Sequence, residues 1–251
     1  MNFSGIPINR WYGKILRFPF RFIPSNMKVR ILQGKLRGKK WIVGSGNHAY
    51  WLGSHEYKKR ILFEKVIRQG SIVFDIGAHV GFYTLLASVL VGTKGKVFAF
   101  EPVPRNLFYL KEHLRLNHCT NVTVVEAAVA DHTGTTFFDE GTDSSTGHIS
   151  VKGKLQVKTL SLDDLMSKGK IPIPDYIKID VEGAEMLVLS GAKTMLLNSH
   201  LTIFLSTHGR DIHYQCCKFL SSLGYSLRPI GDKDIAETNE ILAYKEMRDK
   251  D

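Results

Sequence analysis

The stretch Ile72-Val73-Phe74-Asp75-Ile76-Gly77-Ala78-His79-Val80-Gly81-Phe82-Tyr83-Thr84 decides how this chain folds. An apolar run ends at Gly77, a tight turn covers 77–81, and a second apolar run over 80–91 has the length of a buried helix. Strand, glycine turn and helix in that order leave backbone N–H groups free at the carboxyl edge of a sheet, where α/β folds bind nucleotides. Gly77 can take a backbone conformation closed to other residues, and Gly81 permits close approach of backbone or ligand. The dinucleotide fingerprint G-x-G-x-x-G is not met, because the turn reads D-x-G-x-H-x-G and lacks the glycine that admits a pyrophosphate. A ligand without phosphates does not need it. Asp75, at the end of the strand, suits a cationic group such as the amino group of an amino-acid moiety.

Twenty residues beyond Gly81, Glu101 closes the run Phe98-Ala99-Phe100-Glu101-Pro102. An acid there is placed to hydrogen-bond both hydroxyls of a ribose. A phosphate-free adenosine with an amino-acid tail describes S-adenosylmethionine. The competing readings are a nicotinamide site and a structural glycine turn beside an incidental acid.

Outward from this segment, strand-like runs alternate with helical ones. Strands are expected at 72–76, 96–100, 122–130, 176–180, 201–206, 225–229 and 241–244, and helices at 56–68, 80–91, 105–117, 184–197 and 214–223. Strands recurring between helices of about a dozen residues specify βαβ units and a mostly parallel sheet with helices on both faces. Within 56–68, Tyr57, Ile61, Leu62, Val66 and Ile67 fall at helical spacing and predict a helix leading into the main domain. Residues 41–54, rich in glycine and aromatics, read as short strands and turns. The section 133–160 breaks the rhythm with a polar cluster over 139–148, which predicts a surface insertion bordering the site or a plain hairpin.

Over about residues 50–245 the chain resembles the FkbM family of S-adenosylmethionine-dependent methyltransferases. The resemblance runs through the turn 75–81, Glu101-Pro102 with Asn106 and Asn117 beyond it, 128–131, and 157–162. It is most specific in Tyr176-Ile177-Lys178-Ile179-Asp180-Val181-Glu182-Gly183-Ala184-Glu185. It implies the class I methyltransferase fold, a Rossmann-like, seven-stranded, mostly parallel sheet with helices on both faces and an antiparallel last strand. It further implies S-adenosyl-L-methionine as cofactor, held by Asp75, Gly77, His79, Gly81, Glu101 and Pro102. O-methyl transfer is implied too, in many relatives onto sugar hydroxyls of glycans, glycolipids or natural products. Two positions depart from the family's pattern. Asparagine is common where this chain has His79, whose imidazole can also donate a hydrogen bond. Where relatives often carry an acid near a histidine, this chain has Ser206-Thr207-His208-Gly209.

Methyl transfer from a sulfonium to a hydroxyl needs in-line alignment and a group that takes the proton. Lys178, Asp180 and Glu182 alternate with Ile177, Ile179 and Val181, so the strand period of two aims the polar side chains alike. Lys178 is expected to pair with a carboxylate and Asp180 to lie beside cofactor and acceptor. Glu182 and Glu185, where the chain turns into a helix, would bind acceptor hydroxyls or favour the helix N-terminus. His208 ends the next strand and is a candidate general base, an imidazole being suited to take a proton near pH 7. His148, in the polar insertion, is a further acceptor-site candidate. The plainer alternatives are a Lys–Asp pair that locks the strand and a surface histidine before Gly209. Asp180 and His208 could together hold a divalent metal, but the sequence identifies no third ligand, and no metal is expected.

The 251 residues carry 34 Lys+Arg against 24 Asp+Glu, a formal charge of +10. Residues 1–69 hold 15 of the basic and 2 of the acidic residues, so the excess belongs to that segment and the remainder is slightly acidic. The division predicts a basic, aromatic N-terminal extension with a lead-in helix over 1–69 and a methyltransferase domain over 70–251. The extension could steer a phosphate-linked acceptor. It could also rest on an anionic membrane, with Trp11, Tyr12, Phe18, Phe20 and Phe22 at the interface and Arg17 and Arg21 toward the head groups. Nucleic acid is disfavoured, because no recognition motif accompanies the charge. Three cysteines, two of them adjacent, do not form a disulfide framework. No apolar run precedes a cleavage site. The expectation is a cytoplasmic protein, peripheral at the membrane if the extension docks there, acting on a small-molecule or glycan acceptor. The competing functions are a silent membrane-associated or partner-binding protein on the same fold, and a nucleic-acid methyltransferase.

Overall fold

The computed structural model describes residues 23–139, 148–149 and 153–246, with side chains for all of these but 148–149. The aromatic stretch 11–22, on which the membrane reading rests, lies outside the described residues, as does most of the polar cluster in the insertion. A short antiparallel pair, β1 (Lys28–Arg30) and β2 (Lys40–Ile42), precedes two helices, α1 (Ala49–Leu52) and α2 (Tyr57–Val66). Next come β3 (Ile72–Ile76), α3 (Phe82–Val91), β4 (Lys96–Phe100), α4 (Pro104–Leu116) and β5 (Val122–Val125). The insertion comprises β6 (Ala128–Val129), β7 (Gly134–Asp139), β8 (His148–Ile149) and β9 (Leu155–Leu160), and leads into α5 (Leu162–Ser167). The chain continues through β10 (Tyr176–Ile179), α6 (Glu185–Ser190), α7 (Lys193–Asn198), β11 (Thr202–Ser206), α8 (Arg210–Ser222), β12 (Ser226–Pro229) and β13 (Glu240–Tyr244).

The main sheet has seven strands in the order β12-β13-β11-β10-β3-β4-β5. The β3–β4, β4–β5, β3–β10 and β10–β11 pairs are parallel, and β13 runs antiparallel to both of its neighbours. This is the Rossmann-like class I methyltransferase arrangement. Strand order reverses between β3 and β10, and a crevice opens at the carboxyl ends of strands flanking such a switch point.

Residues alternate across the sheet. Val73 joins Phe63, Leu85, Leu86, Val97 and Phe204 on one face, while Phe74, Ile76, Ile177, Ile203 and Leu205 join Val188, Leu196 and Leu220 on the other. Both faces are covered, which is why β3, β10 and β11 read as unbroken apolar runs. Ile31, Leu36, Trp41, Tyr50 and Trp51 belong to the same cluster as Val73 and Leu85. Residues 28–69 are therefore part of the domain wall, so residue 69 marks a change of charge and no break in packing.

The buried side of α2 carries Lys59, Arg60 and Phe63, whereas Ile61 is exposed. Several local expectations are corrected. The strand expected over 122–130 ends at Val125, and Ala128–Val129 pairs with β9 in the insertion's own sheet. The helix expected over 184–197 is broken at Gly191-Ala192. There the backbone of Ala130 passes so close that a Cβ on Gly191 would lie 2.0 Å from the Ala130 carbonyl oxygen. The Gly191 carbonyl accepts from Asp163 N and Ser161 Oγ, and the Asp163 carboxylate accepts from Thr194 N and Met195 N at the start of α7. Within 41–54 the chain forms a single 3-10 turn and the helix α1 after β2. No helix among the described residues is long and apolar enough to cross a membrane.

Candidate active site

At the β3–β10 switch point lies a cleft of about 640 Å³. Its floor is the turn after β3. Gly77 has φ of +74°, and a Cβ there would meet the Asp180 carbonyl oxygen at 1.9 Å, so only glycine fits. Gly77 N and Ala78 N both donate to the Phe100 carbonyl, at 3.1 and 3.0 Å, and His79 N donates to Glu101 Oε2 at 2.8 Å. The turn thus spends these three amides on the end of β4 and does not present them as an anion cradle. His79 itself has φ of +50°. Histidine is among the non-glycine residues enriched in that region, as asparagine is.

Glu101 is almost wholly buried and lines the cleft. Its Oε1 accepts from Val103 N at 3.0 Å and Asn106 Nδ2 at 3.2 Å. Burial pushes its pKa upward, and the bonds from Val103, Asn106 and His79 pull it back. Pro102, Val103, Val129 and Phe138 supply apolar wall beside it. Gly77, His79, Glu101 and Pro102 all border the cleft.

Asp75 and Gly81 do not line it. Asp75 is 1% exposed, accepts from Thr84 Oγ1 at 2.6 Å and faces Lys178 Nζ at 3.3 Å. The β3–β10 register sets Asp75 directly beside Lys178, so its charge is matched inside the protein and is not offered to a ligand. Gly81 caps α3 with φ of +90°, and a Cβ there would lie 2.5 Å from Leu110 Cδ1, so its smallness serves the contact with α4.

The other half of the cleft holds a charge network centred on two buried lysines. Lys178 Nζ donates to the Gly77 carbonyl at 2.8 Å and lies 3.8 Å from Asp180 Oδ2. Lys59 Nζ, delivered by α2, lies 2.9 Å from Glu56 Oε2, 3.2 Å from Glu240 Oε2 and 3.4 Å from Asp180 Oδ2, and donates to Ser206 Oγ at 2.5 Å. The Tyr83 ring lies beneath both ammonium groups, 5.3 Å from Lys59 and 5.7 Å from Lys178. Burial works against ionised Asp180, but Lys59, Lys178 and His208 outweigh it and hold the carboxyl well below its usual range. Glu240 goes the other way: burial outweighs Lys59 and pushes it up to about 7. Lys59, Glu56 and Glu240 were absent from the sequence reading. A lysine and an arginine on the buried side of a lead-in helix were the available signal.

His208 lies among three carboxylates. Its Nδ1 donates to Glu185 Oε1 at 2.8 Å, while Nε2 is 3.4 Å from Glu182 Oε2 and 3.8 Å from Asp180 Oδ1. The Glu185 bond, opposed by burial and supported by the Glu182 and Asp180 charges, raises its pKa to about 9. At pH 7 this imidazole already carries its proton, which corrects the expectation of a free general base. Glu182 lines the cleft from a backbone with φ of +51°. Glu185 is completely buried and absent from the cleft wall, accepting from Gly183 N as well as His208, so it orients His208 and meets no acceptor. His148 sits in β8 opposite Asp139, and its side chain lies outside the described residues.

The profile of the methyltransferase FkbM domain matches residues 75–227. A hexuronic acid methyltransferase, AglP, of Haloferax volcanii is 30% identical, the match covering 57% of this chain and 59% of that protein. The 31-O-demethyl-FK506 methyltransferase FkbM of Streptomyces tacrolimicus is 26% identical, over 51% of this chain and 61% of its own length. The chain thus spans about three fifths of the length of these curated relatives. A solved structure of a methyltransferase FkbM from Methylobacillus flagellatus superposes with a TM-score of 0.50 at 18% identity, over 79% of this chain and 55% of that one. Tyr50, His55, Glu56, Asn239 and Glu240, which complete the cleft, lie outside the matched domain. The chain belongs to the FkbM family of S-adenosylmethionine-dependent methyltransferases.

Proposed function

We propose that this cleft transfers a methyl group from S-adenosylmethionine to a hydroxyl of a sugar-like, polyhydroxylated acceptor. The observation that carries the reading is the use of the turn's amides. Gly77 N and Ala78 N are spent on the Phe100 carbonyl and His79 N on the Glu101 carboxylate, so these amides are not left for a phosphate, and the acid stands at the ribose position. That donor set suits a nucleoside with a free ribose and no phosphate, flanked by the apolar wall of Pro102, Val103, Val129 and Phe138. When bound, the sulfonium cofactor supplies the transferable methyl group.

The protein's own part is binding and alignment. Glu101 accepts from ribose hydroxyls. Lys178 ties the Gly77 carbonyl to Asp75 and Asp180, so the turn and the end of β10 keep a fixed separation. Asp180, Glu182 and Glu240 line the far half of the cleft as hydrogen-bond acceptors for hydroxyl groups. Holding acceptor and cofactor in one cleft removes much of the entropic barrier to an in-line displacement. The names of the relatives support this acceptor class, one specifying a hexuronic acid and the other an O-demethyl acceptor.

The test is transfer of labelled methyl from S-adenosylmethionine to monosaccharides, uronic acids and glycan fractions. The reading predicts an alkali-stable methyl ether. An alkali-labile ester, or label on nitrogen alone, would overturn the hydroxyl assignment.

A further inference from the structure

Asp180, Glu182 and His208 each turn one potential ligand atom toward a common point in the cleft, and all three atoms lie within 4.8 Å of one another. We propose that Asp180 Oδ1, Glu182 Oε2 and His208 Nε2 form a binding site for one divalent first-row metal ion, which displaces the proton from Nε2 on binding. The separations suit a shared ion: Nε2 is 3.4 Å from Glu182 Oε2 and 3.8 Å from Asp180 Oδ1. Two donors on metal bonds of about 2.1 Å at the tetrahedral angle stand about 3.5 Å apart.

Two independent features prepare these atoms for a cation. The first is the partition of Asp180. Both lysines approach Oδ2, Lys59 at 3.4 Å and Lys178 at 3.8 Å, whereas Oδ1 faces His208. One oxygen is committed to the fixed ammonium groups and the other is directed to the metal position. The second is the second contact of His208. Its Nδ1 donates to Glu185, which is fully buried and held in turn by Gly183 N. A ligating histidine almost always donates its other ring N–H to a carboxylate or carbonyl, which fixes the ring and directs the remaining nitrogen to the metal. Glu185 does this from a position where it can touch neither ion nor acceptor.

Two carboxylates and one imidazole favour Mn²⁺, Fe²⁺ or Zn²⁺ over the larger Ca²⁺. Three protein ligands on the wall of an open cleft leave coordination positions facing its interior, as in catalytic sites that retain an exchangeable oxygen ligand. An acceptor hydroxyl taking such a position would be held and acidified by the ion. That last step rests on the methyl-transfer reading, while ion binding itself does not.

Mn²⁺ is the probe, because its free-ion EPR signal disappears on binding. Titration of the metal-free full chain, in the absence of cofactor and acceptor, should show one ion bound per chain. Glu182→Gln and His208→Gln should abolish it, and Glu185→Gln, which leaves the three ligands in place, should weaken it about 10- to 100-fold. Asp232→Asn, at an exposed residue that does not line the cleft, should leave it unchanged. Near-UV circular dichroism verifies that each variant remains folded. No binding up to about 1 mM Mn²⁺, equivalent to about 4 kcal/mol, would overturn the proposal. Binding indifferent to Glu182→Gln and His208→Gln would overturn it as well. Either result would leave the methyl-transfer reading intact, since that is judged by cofactor binding and labelled product.

Discussion

Lys59→Met is the most informative perturbation of the buried network. The Lys59 ammonium sits within 3.4 Å of carboxylate oxygens from Glu56, Asp180 and Glu240, and its side chain is 2% exposed. Methionine keeps the length and removes the charge. Lys178 then remains as the nearby cation, already shared between Asp75 and Asp180. Removing one partner from a buried ion pair costs about 3–5 kcal/mol, because the uncompensated charge stays behind. In a domain of this size each kcal/mol lowers Tm by about 2–4 °C, so the variant should melt roughly 6–20 °C below the parent. Glu240 makes the prediction specific. Its folded-state pKa of about 7 lies above the ordinary 4.5, so the folded state holds its proton longer and stability falls as pH rises from 4.5 to about 7. Removing Lys59 deletes an influence that lowers this pKa and extends the falling window upward. The stability gap between variant and parent should therefore widen above pH 7. In Lys59→Met/Glu240→Gln one of the repelling carboxylates is gone, and the double variant should be more stable than the sum of the two single changes by about 1–3 kcal/mol. Thermal melts and urea titrations followed by circular dichroism at pH 6 and pH 8 measure all of this. A single variant melting within about 2 °C of the parent, equivalent to about 1 kcal/mol or less, would refute the network. So would strict additivity with Glu240→Gln.

Other outcomes follow from local geometry. Gly77→Ala places a Cβ at 1.9 Å from the Asp180 carbonyl oxygen in a backbone of positive φ. The left-handed conformation alone costs about 1–2 kcal/mol, and the contact with backbone adds to it, so melting should fall and S-adenosylmethionine binding should be lost together. His113 is fully buried, stacked on Trp41, donating from Nδ1 to the Val80 carbonyl and accepting at Nε2 from Ile42 N. Burial lowers its pKa to about 4. The unfolded chain takes up this proton near pH 6.5 and the folded chain only near pH 4, so acidification through that window should remove about 3 kcal/mol. Urea midpoints at pH 7, 5.5 and 4 measure the slope, which should be shallower in His113→Gln.

The features legible beforehand share a property: they are local in sequence. The turn at Gly77 and the acid at Glu101 each follow from a few adjacent residues, whereas the strand period reaches only Lys178, because β10 ends at Ile179 and Glu182 takes a left-handed backbone. What stayed hidden depends on strand order. Lys59 and Glu240 are 181 residues apart and meet because β13 pairs with β11 next to β10, while α2 packs over the same face. Apolar spacing marked α2 as a helix but could not show that it buries Lys59 and Arg60, whose partners, Glu56, Asp180 and Glu240 for one and Glu64 for the other, lie around it. Asp75 looked like a ligand contact because its partner, Lys178, lies one strand away and a hundred residues on. His208 looked like a base because its three carboxylate neighbours, which keep it protonated, come from the β10–α6 connection and the first turn of α6.

Calorimetric titration of the full chain with S-adenosylmethionine and with its demethylated product tests the central claim most directly. The account predicts one site per chain for each. In Glu101→Gln, loss of the charge-assisted bonds to the ribose, worth about 1.5–3 kcal/mol, should weaken both about 10- to 150-fold. A folded protein that takes up neither ligand would contradict it, as would one that binds both equally well without the Glu101 carboxylate.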